Sequence, residues 1–163
     1  NKLFSTTLLR EKIEFVPKLK IGEDELWMVQ VLKNARDISL INSVLYHYRK
    51  RESGVSKDFS LSNARLSEID SQKMVLREIE KYGSDNLILL AQKRMYFSCQ
   101  KIMKITYYLG EYDLFDRIDD EISEVRKIWF ANHKNLLGKI RRKIVEAMMR
   151  KRFPKKIVRL FDK

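Results

Sequence analysis

A single cysteine, two prolines and five glycines are all that 163 residues contain of the types that staple, break or tightly turn a chain. One thiol allows no disulfide framework and no cysteine-based zinc site. Cys99 sits in the helical pattern Met95-Tyr96-Phe97-Ser98-Cys99 and reads as a buried thiol at home in a reducing compartment. The scarcity of glycine and proline argues against sandwiches, barrels and disordered linkers, all richer in turn residues. No apolar run approaches the ~18 residues of a membrane span, and no signal-peptide pattern opens the chain, so it is not expected to cross a bilayer by itself.

What is abundant is charge. Hydrophobic residues make up 44% and charged residues 34%, enough of the former to bury a real core. The net charge of +12 is unevenly spread. From Lys139 to Lys163 there are eleven Lys/Arg against only Glu146 and Asp162, so three quarters of the excess lies in the last 25 residues.

Apolar spacing sets the expected organisation. Leu3, Phe4, Leu8 and Leu9 give a short helical or turn-like face, and Ile13-Glu14-Phe15-Val16 alternates like a strand that Pro17 ends. Leu26, Trp27, Val29, Val31, Leu32 and Ala35 predict a helix apolar nearly all round, opened by Gly22-Glu23-Asp24-Glu25. Ile38–Ile41 and Ser43–Arg49 are β-branched and aromatic, which predicts two strands turning near Asn42. Beyond about Asp58 the pattern is helical: one helix from near Ser60 to Tyr82, a second from Ser84 or Asp85 to Gly110, a third from Tyr112 to Phe130, and a fourth from Asn135 to Lys151. Pro154 then sets off a last amphipathic turn or two. The expectation is an α+β chain, mainly α, with an α/β part at 1–57 and a helical bundle at 58–163.

The order of short motifs in the first 56 residues is the most specific signal. Asn1-Lys2-Leu3-Phe4, Phe15, Gly22-Glu23-Asp24-Glu25-Leu26-Trp27 and Leu45-Tyr46-His47-Tyr48-Arg49-Lys50-Arg51 follow one another in a way that resembles the second half of bacterial family 2 glycosyltransferases of the GT-A fold. That family places an N-K-L-[FY] segment before an acidic pair with a following aromatic, and a Y-x-Y-R-x-R strand after it. The resemblance implies that residues 1–57 are the C-terminal, acceptor-side remnant of a GT-A domain and that the opening lies inside a longer chain. It implies an inverting hexosyltransferase that uses a nucleotide-sugar donor and a cell-surface polysaccharide or lipid-linked glycan acceptor, such as capsule, exopolysaccharide or teichoic acid.

By the same resemblance Asp24 is the general base, Glu23 supports it, Trp27 lies at the substrate, and Arg49 and Arg51 meet the donor diphosphate. The chemistry fits the residue types. A sugar hydroxyl is a poor nucleophile, and a carboxylate within hydrogen-bond reach accepts its proton as the new bond forms. Guanidinium groups pair with diphosphate oxygens as the nucleotide departs. Plain helix capping is the competing role for Glu23-Asp24-Glu25, and solubilising strand-end charge for the arginines. His47 has the chemistry to complete a metal shell, although a lone strand histidine is usually structural. Gly54-Val55 replaces the Ser-Ile that relatives often carry after the second arginine.

The D-x-D carboxylates that hold Mg²⁺ or Mn²⁺ in the family do not occur in this sequence, nor does the Q-x-x-R-W motif of processive synthases. Alone, this stretch is therefore expected to be inactive, with the metal ligands elsewhere in the full-length protein.

The tail forms a second constellation. Leu136, Leu137, Ile140, Ile144, Val145, Met148 and Met149 share a helical face amid Lys139, Arg141, Arg142, Lys143 and Arg150, and Ile157, Val158, Leu160 and Phe161 continue beyond Pro154. Such a composition suits an anionic membrane surface, engaged through 139–163, or an ordinary bundle helix with a solvated basic face. It predicts a cytoplasmic protein held peripherally at the inner face of the plasma membrane. Nucleic acid is not an expected partner, because no reading motif accompanies the charge. From a different functional class, a non-enzymatic helical module docking on a membrane or an acidic partner accounts for the same tail.

Overall fold

The structure is a computed structural model that describes residues 3–9, 13–39, 41–44 and 63–162. It overturns the α+β expectation. Among the described residues 73% are helical and none lies in a strand, so the described part is all-α and shows no GT-A α/β remnant. The helices are α1 (Thr6–Leu9), α2 (Glu23–Asn34), α3 (Asn63–Glu80), α4 (Asp85–Leu109), α5 (Tyr112–Glu121), α6 (Ser123–Asn132), α7 (Leu136–Arg150) and α8 (Lys155–Phe161).

The strands expected at 13–16 and 38–41 do not form, for identifiable reasons. Residues 13–16 are irregular, and their alternation serves side-chain packing: Phe15 stacks on Trp27 at 5.3 Å, and Val16 packs against the core of α2 and α3. Ile38, Ile41 and Val44 are exposed and belong to no ladder, and β propensity without a pairing partner makes no sheet. The remainder of the strand expected over 43–49, from Leu45 on, lies outside the described residues, as does the expected boundary between 57 and 58.

Two compact units divide the chain, Asn1–Ala91 and Gln92–Lys163. In the first, α2 packs along α3. Leu26 meets Leu19, Val75, Ile79 and, from the start of α4, Ala91, with Val29 and Leu76 around them. Lys20 and Ile21 N–H both donate to Ser67 Oγ, at 3.0 and 3.3 Å, which fixes the loop entering α2 against α3. Tyr82 Oη donates to Val29 O at 3.1 Å and holds the other end of α2.

The second unit has a dense aromatic centre. Tyr96, Cys99, Ile102, Met103 and Tyr107 of α4 are fully buried with Phe115, Ile118, Trp129, Met149 and Val158. Cys99 is fully buried, as its place in the helical pattern predicts. The expected helix from Tyr112 to Phe130 is two, because Ile122 (φ −95°, ψ 6°) interrupts it as a single residue between α5 and α6. Asn135 caps α7, its Oδ1 accepting from Gly138 N at 2.9 Å. At the far end Arg152 takes φ 55°, with Arg152 N bonded to Met149 O and Phe153 N to Met148 O, both at 3.0 Å: a Schellman turn built on arginine in place of glycine. The Arg152 guanidinium compensates by pairing with Asp116 at 2.6 Å and lying 4.4 Å over the Tyr112 ring.

Candidate functional site

The acidic turn at the start of α2 is held by its neighbours on α3. Gly22 is the residue before the helix and sits in the left-handed region at φ 84°, which swings the chain into α2. Its carbonyl accepts from Ser71 Oγ at 2.7 Å, and a Cβ at position 22 would lie 2.3 Å from that same oxygen. The site therefore depends on glycine twice, for the backbone angle and for the close approach.

The three carboxylates that follow have different fates. Glu25 Oε2 accepts from Gln72 Nε2 of α3 at 2.8 Å, so Glu25 clamps the turn. Oε2 of Glu23 is shielded from solvent without a donor among the described residues, an acceptor held in reserve. Asp24 is exposed, and its Oδ1 takes the Glu25 N–H at 2.8 Å, leaving Oδ2 for another group. Gly22 makes no side-chain cap, so the helix start is satisfied in part by Asp24 and otherwise presents N–H groups that favour negative charge.

Trp27 is half-buried in an aromatic clamp. Phe4 meets it edge-on at 5.1 Å and 86°, and Phe15 lies parallel at 5.3 Å and 1°. Phe15 thus covers one face of the indole, and the clamp ties the segments around α1 to α2. The structure brings Glu23, Asp24 and Trp27 together on consecutive turns of α2; Arg49, Arg51 and His47 lie outside the described residues. Ser71 and Gln72, which shape the turn, escape sequence reasoning because nothing in α3 marks two polar residues as partners of a loop some fifty positions earlier.

Within the second unit a different polar cluster surrounds Glu146 of α7, which is almost wholly buried. Its Oε1 accepts from Tyr96 Oη at 2.5 Å and Gln100 Nε2 at 3.1 Å, and its Oε2 faces Arg126 Nε at 3.3 Å and Arg150 Nη2 at 3.5 Å. Asp119 bridges the same two arginines. Its bond to Arg150 pushes that guanidinium further up from its ordinary value. Burial first, then the Glu146 charge, pushes the Tyr96 hydroxyl well above the usual phenol range. A basin of about 480 Å³ lined by Lys127, Phe130, Lys143 and parts of this cluster opens alongside. Its arginines are already engaged by Asp119 and Glu146, so the cluster reads as a structural tie among α4, α5, α6 and α7.

Among the described residues no group of three His, Cys, Asp or Glu is placed to hold a metal ion, so the Mg²⁺ or Mn²⁺ implied by the resemblance has no donor set there. No described helix is long and apolar enough to cross a membrane. Compared with known protein families, curated proteins and solved structures, the chain has no match.

Proposed function

We propose that this chain is part of an inverting sugar transferase and that Asp24 is the general base of its acceptor site. The observation that carries the reading is the split among three adjacent carboxylates: Glu25 is tied to Gln72, Glu23 is shielded, and Asp24 alone of the three stands exposed with an oxygen to spare, on a turn locked to α3. The motif order from Leu3 to Arg51 gives that carboxylate its chemical context.

In this reading the acceptor hydroxyl oxygen attacks the anomeric carbon on the side opposite the nucleotide. A new carbon–oxygen bond forms, the bond to the diphosphate oxygen breaks, and the hydroxyl proton passes to Asp24. Glu23, its Oε2 shielded within the turn, supports the base from beside it without meeting the acceptor. Arg49 and Arg51 pair with the departing diphosphate. Preorganisation supports the assignment, since a base held by a locked helix turn needs no reordering as the proton moves.

The test is nucleotide release from UDP-, GDP- and CDP-linked sugars by the full-length protein, with candidate glycan acceptors supplied and Mg²⁺ or Mn²⁺ present. Asp24→Asn is expected to lower turnover by about 10²- to 10⁴-fold while circular dichroism stays unchanged. Turnover equal to wild type would leave Asp24 as a first-turn helix residue and end the assignment.

A further inference from the structure

Helix α7 carries apolar residues on both its buried and its outward face. Val145, Glu146 and Met149 point into the second unit, and Glu146 carries the polar network there. On the opposite side, Leu136 (66% exposed), Leu137 (80%), Ile140 (47%) and Ile144 (42%) form a continuous apolar stripe at successive turns. The stripe has basic borders, Arg141 along one edge and Lys139 and Lys143 along the other. In α8, Val158 is buried while Ile157, Leu160 (70%) and Phe161 are exposed beside Lys156. Arg141 Nε donates to Phe161 O at 2.7 Å and joins the end of α8 to α7.

We infer that this α7–α8 face lies in the plane of a lipid bilayer rich in acidic phospholipid, with the apolar stripe among the acyl chains and the flanking cations at the phosphates. The occupant follows from two properties taken together. Exposed leucine and isoleucine at this density need an apolar cover, whereas the tail's basic excess, with Arg150 and Arg152 held by acids of the fold but Arg141, Lys143, Lys151 and Lys156 exposed, needs an anionic one. Both acids are engaged within the fold, Glu146 by Tyr96 and Asp162 by Lys104. A second copy of the chain would bring the two basic borders against each other, which opposes self-association. An acidic bilayer supplies apolar depth and negative charge at once, and long lysine and arginine side chains reach the headgroups while their stems remain beside the stripe. The inference stands apart from the assignment of Asp24, which lies in the other unit.

The experiment is co-sedimentation of the full 163-residue chain with vesicles of phosphatidylcholine alone or containing about a third phosphatidylglycerol, at low salt and at ~0.5 M salt, where screening shortens to a few ångströms. Binding to the acidic vesicles only, weakened at high salt, is expected. Leu137→Asp with Ile140→Asp should lower that binding by about tenfold or more with helicity retained, because both side chains are exposed. Lys151→Glu with Lys156→Glu should weaken it through charge alone, leaving the fold and the stripe intact. Binding indifferent to lipid charge, absent altogether, or unaffected by the two aspartates would overturn the inference. So would a lipid-free dimer that the aspartates dissolve, which would make a second copy the cover of the stripe.

Discussion

The hydroxyl of Tyr96 and the carboxylate of Glu146, fifty residues apart, meet at 2.5 Å with both side chains buried. Removing the donor leaves the carboxylate with Gln100 and two arginines but without its shortest contact. Tyr96→Phe should therefore cost about 1–3 kcal/mol at neutral pH. The pH dependence has a definite sign. Burial and then Glu146 raise the hydroxyl above its ordinary 10.0, outweighing the opposing Arg142, so the protonated phenol stabilises the fold fully below pH 10.0 and this contribution is lost as pH rises beyond it. Urea midpoints followed above pH 10 should fall more steeply for wild type than for Tyr96→Phe; parallel curves would show that Tyr96 does not link folding to proton loss.

Gly22 and Ser71 form a second coupled pair, tied by a 2.7 Å hydrogen bond. Gly22→Ala places a Cβ at φ 84° and 2.3 Å from Ser71 Oγ, so a loss of about 2–3 kcal/mol is expected. Combining it with Ser71→Ala relieves the contact with the oxygen but leaves the left-handed backbone and the 2.9 Å approach to the Ser71 Cβ. Rescue should be partial in a double-mutant cycle. Full additivity of the two losses would mean that the turn does not rest on α3 as described.

Glu78 joins the two main helices of the first unit, with Lys33 Nζ of α2 at 3.3 Å and Lys81 Nζ at 2.6 Å. The Lys81 hydrogen bond is the larger influence and, with Lys33, holds the carboxyl below its ordinary 4.5 despite partial burial. A depressed carboxyl contributes stability that is complete above the unfolded value and is lost as pH falls through the folded one. Both lysines are solvent-exposed, so the contribution is a few tenths of a kcal/mol to about 1 kcal/mol. Chemical denaturation between pH 3 and pH 6 should show a smaller acid loss in Glu78→Gln than in wild type, and the difference should shrink in high salt.

Helix was legible in the sequence and sheet was misread. The 3.6-residue spacing of α3, α4 and α7, with Ser84, Gly110 and Asn135 at their ends, reports packing that local periodicity encodes directly. The β-branched stretch near Ile38 encodes only a preference, which expresses itself when a pairing strand is present. Sequence also located the acidic turn but not what anchors it, since Ser71 and Gln72 meet Gly22 and Glu25 through tertiary contacts alone. In the tail, spacing joined Val145 and Met149 to Leu137 and Ile140 as a single apolar face, whereas the fold buries the first pair and exposes the second. A wheel shows which residues share a side; it does not show where the core is.

That arrangement of α7 inverts the usual map of mutational tolerance. In most bundle helices charge is forbidden at the leucines and free at the glutamates. Here folding alone would accept aspartate at 137 or 140 and reject nearly every replacement of Glu146. A survey of variants scored by cellular abundance would therefore mark the polar residue as the core and pass silently over the leucine and isoleucine. Only a survey scored by what the protein does would recover them, and the positions on which the two disagree would trace the outward face residue by residue.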